Sequence, residues 1–149
     1  MPSKKKKRSR ATISRIMALV RSKGTDPEIQ LRKELRKLGR KFRVNPAYFP
    51  GSPDFLFPAE RIAIFVDGDF WHGHQWRLRG LASLERQFAS SKNKKYWIRK
   101  IKTNVARDKR VNRALSRLGW RVIRLWESDL KKNLPKCLKR VRGEMESFK

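Results

Sequence analysis

Acidic residues are scarce in this chain of 149 residues. Thirteen Asp and Glu face 40 Lys and Arg, which leaves a formal net charge of +27 at pH 7. Because like charges repel unless a partner neutralises them, this imbalance favours a polyanionic partner, above all nucleic acid. An anionic membrane surface is the weaker alternative.

Cysteine and long apolar runs are lacking as well. Cys137 is the single cysteine, so no disulfide can form within the chain, and we expect an intracellular, cytoplasmic protein. No apolar stretch is long enough to span a bilayer, and the basic N-terminus has no apolar segment behind it, so we expect no membrane span and no secretory signal. The 38% of hydrophobic residues, with five Trp, suffice for one packed domain.

The order of apolar and turn-forming residues predicts a single α/β domain over 11–142, with a flexible basic arm over 1–10 and a C-terminal tail over 143–149. The predicted elements are a helix over 11–20, a helix over 25–39, strands over 42–44, 54–57 and 61–66, a loop over 76–91, a long helix over 96–118, a strand over 120–126 and a closing helix over 129–142 that Pro135 interrupts. The second and third strands should form a hairpin, and the last strand, which follows a helix, can lie parallel to an earlier one. The expected architecture is a small mixed β-sheet flanked by helices.

Carboxylates occur at the two strand ends that this hairpin would bring together. Asp54 stands where a turn enters one strand, and Asp67 and Asp69 stand where the partner strand ends. Such carboxylates could share a Mg²⁺ ion, which prefers oxygen ligands and polarises a phosphate held against it. Taken alone, the pair Asp67-Gly68 is more typical of an ordinary turn than of a catalytic site.

Aromatic and imidazole side chains follow directly, as Phe70, Trp71, His72 and His74. Two large rings on a loop either fold back into the core or remain available to stack on bases, because apolar area left in water is unfavourable. The histidines can titrate near neutral pH, bind metal or donate to a phosphate. Their place beside carboxylates in so basic a chain favours a site that acts on DNA.

Four segments in collinear order resemble the very-short-patch repair (Vsr) endonucleases, and the resemblance extends over about residues 11–138. The segments are PGSPDF (50–55), FVDGDFWHGH (65–74), YWIRKIKTNVARDKR (96–110) and LGWRVIRLWE (118–127). The resemblance implies the PD-(D/E)xK restriction-endonuclease-like fold. It also implies a Mg²⁺-dependent enzyme, in which Mn²⁺ can substitute, that nicks double-stranded DNA beside a T:G mismatch. We expect it to act as a monomer.

The resemblance implies roles for individual residues. Asp54 matches a metal-binding aspartate, Val66 a residue that offers its backbone carbonyl to the metal, and Glu28 a glutamate that helps place a metal-bound water. His72 matches an active-site histidine, and Asp108 an aspartate that orients a histidine or a water. The residues that match the family's aromatic wedge, which enters the duplex at the mismatch, are Phe70, Trp71 and Trp97.

Two departures from the family pattern stand out. Asp67 replaces a family histidine, and an aspartate there could serve as a second metal ligand in the catalytic set. The family's structural zinc site uses Cys and His at positions that here are Asp69, His74, Trp76 and Ser128. One good ligand, His74, cannot hold Zn²⁺, so we expect no structural zinc.

Basic residues crowd the long helix and its approach, with few acids to pair them. A solvated face would look the same, but here we expect the basic side chains to follow a phosphate backbone, with a steep salt dependence. The residues expected to contact DNA are Lys94, Lys95, Arg99, Lys102, Arg107 and Lys109. Two alternatives stay open: a sequence-specific homing or restriction-type endonuclease on the same core, and a non-catalytic DNA-binding protein with a decayed nuclease core.

Overall fold

The structure, a computed structural model, describes residues 25–147. The elements in this range are helix α1 (Asp26–Arg36), strands β1 (Arg43–Val44), β2 (Phe55–Phe57) and β3 (Ile62–Asp67), helices α2 (Gln75–Leu78), α3 (Leu84–Gln87) and α4 (Lys94–Arg117), strand β4 (Arg121–Trp126), and helices α5 (Glu127–Lys132) and α6 (Leu134–Glu146). The predicted basic arm and the predicted helix over 11–20 lie outside the described residues. Within 25–147, no helix combines the length and the apolar character that crossing a bilayer requires.

Four strands form one mixed sheet in the order β1-β2-β3-β4. β1 pairs with β2 and β2 with β3 in antiparallel fashion, whereas β3 and β4 are parallel, with Val66 opposite Leu125. The continuous apolar run of β3 suits this central place, since all six of its residues are buried. The predicted hairpin, the predicted parallel crossover through the long helix and the small mixed sheet flanked by helices are confirmed.

Side chains alternate between the two faces of the sheet, and each face buries its own core. On one face, Phe55, Ile64 and Ile123 join a cluster that includes residues of α1, α5 and α6. On the other face, Phe65 joins a smaller cluster with Leu115 of α4. The long helix therefore covers one side of the sheet, and helices α1, α5 and α6 cover the opposite side.

Helix α1 carries an acidic residue into the interior. Pro27 and the acids Asp26 and Glu28 in the first turn fit a helix start, as predicted. Glu28 lies three residues before the fully buried Leu31, so both side chains share the helix face that packs on the protein, and Glu28 is only 5% exposed. A carboxyl group at such a depth is costly unless it has a partner.

The segment between β3 and α4 is more regular than the predicted loop over 76–91. Helices α2 and α3 lie within it, and Ser83 Oγ caps α3 by accepting a 3.3 Å hydrogen bond from the backbone N–H of Arg86. Phe88 belongs to the same buried cluster as Ile101 of α4. Packing on a helix farther along the chain orders this segment, and local periodicity carries no sign of such a contact.

The predicted closing helix is in fact two helices. Asn133 separates α5 from α6, and its Oδ1 caps α6 by accepting a 3.2 Å hydrogen bond from the backbone N–H of Lys136. Pro135 stands in the first turn of α6, where its missing N–H costs no helical hydrogen bond, so it starts a helix instead of interrupting one. Helix α6 continues to Glu146, and Met145 is buried, so the predicted tail over 143–149 begins too early.

Candidate active site

Four of the five predicted catalytic residues line one cleft, where β2 begins and β3 ends, and the fifth, Glu28, lies against Asp54. Asp54 directly precedes β2, and Asp67 ends β3. The cleft has a volume of about 400 Å³. The polar residues that line it, together with Val66, are Ser52, Asp54, Asp67, His72, Arg107, Asp108 and Arg124. The hairpin register and the long helix thus bring together side chains that are far apart in the sequence.

The turn before Asp54 packs directly on helix α4. Gly51 has a φ of +79°, and a Cβ at this position would lie 2.4 Å from a methyl group of Val111. Glycine suits both the left-handed backbone and the close approach. The backbone N–H of Asp54 then donates a 2.9 Å hydrogen bond to the carbonyl of Ile64, which fixes the aspartate at the edge of the cleft.

Asp54 and Glu28 form a buried pair of carboxyl groups. Asp54 is 6% exposed, and its Oδ2 accepts a 2.7 Å hydrogen bond from the backbone N–H of Val66. The pKa of Asp54 is raised to about 8, mainly because the carboxyl group is buried. The hydrogen bond from Val66 lowers this pKa. The charge and hydrogen bond of Glu28 and the charge of Asp67 raise it further. Two carboxyl groups in such contact share a proton unless a cation compensates their charge.

His72 lies between two further carboxylates in the same cleft. Its Nδ1 is 2.5 Å from Oδ2 of Asp108 and 3.8 Å from Oδ1 of Asp67. Burial works to lower the pKa of His72, but the hydrogen bond to Asp108 and the negative charges of both aspartates outweigh it, and the pKa is raised. Because Asp108 engages Nδ1, Nε2 is the ring nitrogen that remains for proton transfer.

Arg124, which the sequence reasoning missed, links the two aspartates. Its Nη1 donates hydrogen bonds of 3.0 and 3.2 Å to the carboxylate oxygens of Asp67 and lies 3.5 Å from Oδ1 of Asp108. Burial raises the pKa of Asp67, and the positive charges of His72 and Arg124 offset only part of that rise. An arginine between two buried apolar residues of a strand was the signal that could have identified it.

The predicted wedge residues form one cluster of rings. Phe70 lies 5.0 Å from Trp71 and 5.4 Å from Trp97, and the two tryptophan rings are 5.8 Å apart. All three are partly exposed, although Phe70 and Trp97 also contact the buried ring of Phe88. The backbone carbonyl of Trp71 accepts a 3.1 Å hydrogen bond from Asn104 Nδ2, which ties the loop after β3 to α4.

Three of the four residues at the family's zinc positions are hydrogen-bonded to one another. Oδ1 of Asp69 lies 2.7 Å from Nδ1 of His74 and accepts a 2.6 Å hydrogen bond from Ser128 Oγ, while its Oδ2 accepts a 3.0 Å hydrogen bond from the Ser128 backbone. Trp126 stacks on the ring of His74 at 4.1 Å. The fourth residue, Trp76, packs beside the aromatic cluster. These contacts join the loop after β3 to the start of α5.

The predicted DNA-contacting residues of α4 are all exposed. Lys102 forms a 3.0 Å ion pair with Glu85 of α3. Among the described residues, the other five form no ion pair. Arg107 differs from the rest because it also lines the cleft. The surface next to the cleft therefore carries positive charge that the described part of the chain leaves uncompensated.

Two groups of side chains could hold a divalent metal. One is the carboxyl pair of Asp54 and Glu28. The other consists of Asp67, His72 and Asp108, whose ligand atoms all lie within 4.8 Å of one another. Arg124 already provides the second group with a positive charge, whereas burial and Glu28 leave Asp54 with a raised pKa that a cation would relieve. The first group is therefore the stronger candidate.

Comparison with known proteins bears on the chemistry of this cleft. A family model described as "DNA mismatch endonuclease Vsr" matches residues 5–78. The chain is 40% identical over 122 residues to the type II nicking enzyme V.NmeDIP of Neisseria meningitidis serogroup C. These aligned residues cover 82% of this chain and 78% of that protein. This chain belongs to the Vsr endonuclease family.

Other relatives agree with this assignment to the Vsr family. The type II nicking enzyme V.HpaIIP of Haemophilus parainfluenzae is 42% identical over 113 residues, which cover 76% of this chain and 75% of that protein. The DNA mismatch endonuclease Vsr of Escherichia coli is 37% identical over 122 residues, which cover 82% of this chain and 73% of that protein. The family expected from the four sequence segments is confirmed, and this Vsr endonuclease acts on DNA.

Proposed function

We propose that this Vsr endonuclease nicks one strand of double-stranded DNA by Mg²⁺-dependent hydrolysis at a T:G or other mismatch. The observation that carries the proposal is the buried contact of Asp54 with Glu28 at the cleft that also holds His72. The name of the Escherichia coli relative, a DNA mismatch endonuclease, supports a mismatch as the target. We also propose that the protein acts as a monomer. Action on DNA and the single cysteine support a cytoplasmic location.

The donor set around Asp54 fits a hard divalent cation. Asp54 would bind Mg²⁺ through its carboxylate and Val66 through its backbone carbonyl, while Glu28 would hold a water of the ion. Mn²⁺ could substitute, because it accepts the same oxygen ligands. When bound, the ion supplies polarisation of the scissile phosphate and a lower pKa for water. Asp67 is close enough to Asp54 to influence its pKa, so it could reach the ion through water, although Arg124 already binds its carboxylate.

His72 and Asp108 would act as the proton-transfer pair. The contact of 2.5 Å with Asp108 fixes the ring of His72 and stabilises its protonated form. Nε2 can then accept a proton from the attacking water or donate one to the leaving oxygen. Arg107, which lines the cleft, is the group that we assign to a phosphate beside the bond that is cut.

Trp71 is the tip of the proposed wedge, and Phe70 and Trp97 support it. Rings that rest against a core can enter a base stack without first unfolding the protein, and stacking contributes about 1–3 kcal/mol per base. A mismatched base pair is easier to open than a matched one. Insertion of the wedge should therefore contribute most to binding at a mismatch, because the free-energy cost of opening the base pair is smallest there.

Nicking of plasmid and of short duplexes tests the proposal. Wild type with Mg²⁺ should convert supercoiled plasmid or a labelled mismatch duplex to the nicked form, and EDTA should abolish the reaction. Asp54→Asn should lose nicking and keep DNA binding. Asp129→Asn, which alters an exposed acid of α5, is the matched control and should nick like wild type. Wild-type nicking by Asp54→Asn, or nicking in excess EDTA, would refute the metal assignment.

A second candidate is sequence-specific nicking of fully matched DNA. V.NmeDIP and V.HpaIIP are both named type II nicking enzymes, and this favours the second candidate. A panel of duplexes of one sequence, carrying T:G, another mismatch or a matched pair, separates the two. Faster nicking of the mismatched duplexes supports mismatch repair, and equal nicking of the matched duplex supports sequence-specific cleavage. Cleavage of both strands would indicate a restriction or homing enzyme, and binding without cleavage a DNA-binding protein.

A further inference from the structure

Arg124 lines the cleft, and the protein's own oxygens engage its guanidinium group. Its side chain is 18% exposed, and each of its three guanidinium nitrogens donates to a protein oxygen. Nη1 donates to Asp67, Nε donates to Oδ1 of Asn112 at 2.7 Å, and Nη2 donates to the backbone carbonyl of Asp108 at 3.5 Å. Because its nitrogens already donate to protein oxygens, this guanidinium is better placed to hold the protein's own groups than to bind a phosphate.

The fold holds this guanidinium in one place. Arg124 lies opposite Phe65 in the parallel pairing of β3 and β4, and its Cζ stands 4.3 Å from the centre of the Phe65 ring. The backbone carbonyl of Arg124 accepts a 2.8 Å hydrogen bond from Nη1 of Arg140 on α6. A planar, always charged fork on a rigid strand is suited to fixing carboxylates in a defined geometry.

We infer that Arg124 is a positioning residue that sets the ring of His72 by holding Asp67 away from its Nδ1. Both aspartates could accept from that nitrogen, yet Asp108 lies 2.5 Å from it and Asp67 3.8 Å. Arg124 binds both oxygens of Asp67, so this carboxylate has a better partner than the imidazole. Without Arg124, Asp67 would compete with Asp108 for Nδ1, and the ring would lose its single orientation in the cleft.

This inference rests on the proposed function for the catalytic role of His72, and kinetics test that part. Arg124→Gln should lower kcat by about 10- to 100-fold, and KM for DNA should stay within about threefold of wild type. Arg124→Lys keeps the positive charge but loses the planar set of guanidinium donors, so its kcat should lie between those of Arg124→Gln and wild type. Arg121→Gln is the matched control: it lies on the same strand, its side chain contacts Glu144 and Ser147, and its kcat should equal that of wild type.

Proton NMR of the imidazole rings tests the inference without any substrate. The chain has two histidines, so His74→Gln assigns both sets of ring signals. In wild type, the Nδ1 proton of His72 should resonate far downfield because of its hydrogen bond to Asp108. Arg124→Gln should shift or broaden this signal and leave that of His74 unchanged, and Arg121→Gln should change neither.

Each alternative result has a definite meaning. A rise in KM alone would assign Arg124 to DNA binding, and an unchanged His72 signal with unchanged kcat would leave it a purely structural residue; either result overturns the inference. A wild-type protein that nicks no duplex would refute the proposed function, while the His72 signal would still decide whether Arg124 orients the ring. If Arg124→Gln does not fold, Asn112→Ala removes only the acceptor of Nε and should give smaller changes in the same directions.

Discussion

Replacing Asp54 with Asn should change how the stability of the protein depends on pH. Burial raises the pKa of Asp54 from 3.8 to about 8, so between these values the folded state keeps a proton that the unfolded state has released. The stability that depends on this protonated carboxyl is complete below the unfolded pKa and is lost as the pH rises through the folded pKa. Wild type should therefore become less stable from acid to mildly alkaline pH in the absence of metal.

The size of the effect follows from the width of this window. One bound proton changes the free energy of unfolding by about 1.4 kcal/mol per pH unit, so a window from 3.8 to about 8 gives an upper bound on the order of 6 kcal/mol. The raised pKa values of Asp67 and His72 also make stability fall as the pH rises. Asp54→Asn keeps both of those groups, so the difference between its curve and that of wild type reports the titration of the Asp54–Glu28 pair.

Mg²⁺ should reverse the loss of stability at rising pH in wild type, and it should not do so in Asp54→Asn. A cation that binds only the folded, ionised site adds about 2.7 kcal/mol at a concentration one hundred times its Kd. Thermal melts followed by circular dichroism, in EDTA or in Mg²⁺ and from acid to mildly alkaline pH, measure both effects. Asp129→Asn should follow wild type throughout. Parallel pH curves for wild type and Asp54→Asn, or an equal Mg²⁺ shift in both, would show that this carboxyl pair is not the metal site.

Three other predictions concern the surfaces around the cleft. Trp71→Ala should weaken binding to a mismatched duplex by about 1–3 kcal/mol, measured by fluorescence anisotropy, while its melting temperature stays near that of wild type; a large loss of melting temperature with unchanged binding would assign the ring to the core. Elemental analysis of the folded protein should find no zinc, and one tightly held Zn²⁺ per chain would contradict this. Asp69→Asn should lower the melting temperature, because an amide NH2 replaces one of the two oxygens that contact His74 and Ser128. Lys95→Gln should reduce the slope of log K against log salt by about one unit, whereas Lys139→Gln, on the opposite side of the sheet, should not change it.

The hairpin and its carboxylates were predictable because their determinants are local. The apolar run that ends at Asp67 favours a central strand, and the short turn before it sends the preceding strand back beside it. These two facts place Asp54 and Asp67 at the same edge of the sheet. Glu28 was identified only through the family resemblance, since its burial depends on how α1 packs on the sheet.

Arg124 was missed because its partners are distant along the chain. Asp67 is separated from it by 57 residues, and the contact arises only when β4 pairs in parallel with β3. Asp69 was considered as a possible Mg²⁺ ligand and as a lost zinc ligand, but its hydrogen bonds to Ser128, 59 residues away, have no local signal either. Alternation along a strand predicts which face of the sheet a side chain lies on. Its partner on another element can be identified only once the fold is known.

The distribution of acidic residues links metal binding to DNA binding. Of the 13 acids in a chain of net charge +27, Glu28, Asp54, Asp67 and Asp108 lie in or against one cleft, while the exposed face of α4 beside it is basic. A phosphate drawn to the basic face meets like charge at the cleft, so its approach to Asp54 is opposed until a cation compensates the carboxylates. A divalent ion and the DNA backbone should therefore each favour the binding of the other, and by linkage both effects should be of equal size. In Asp54→Asn this coupling should fall, because the carboxyl pair has lost the group through which we propose that the ion binds.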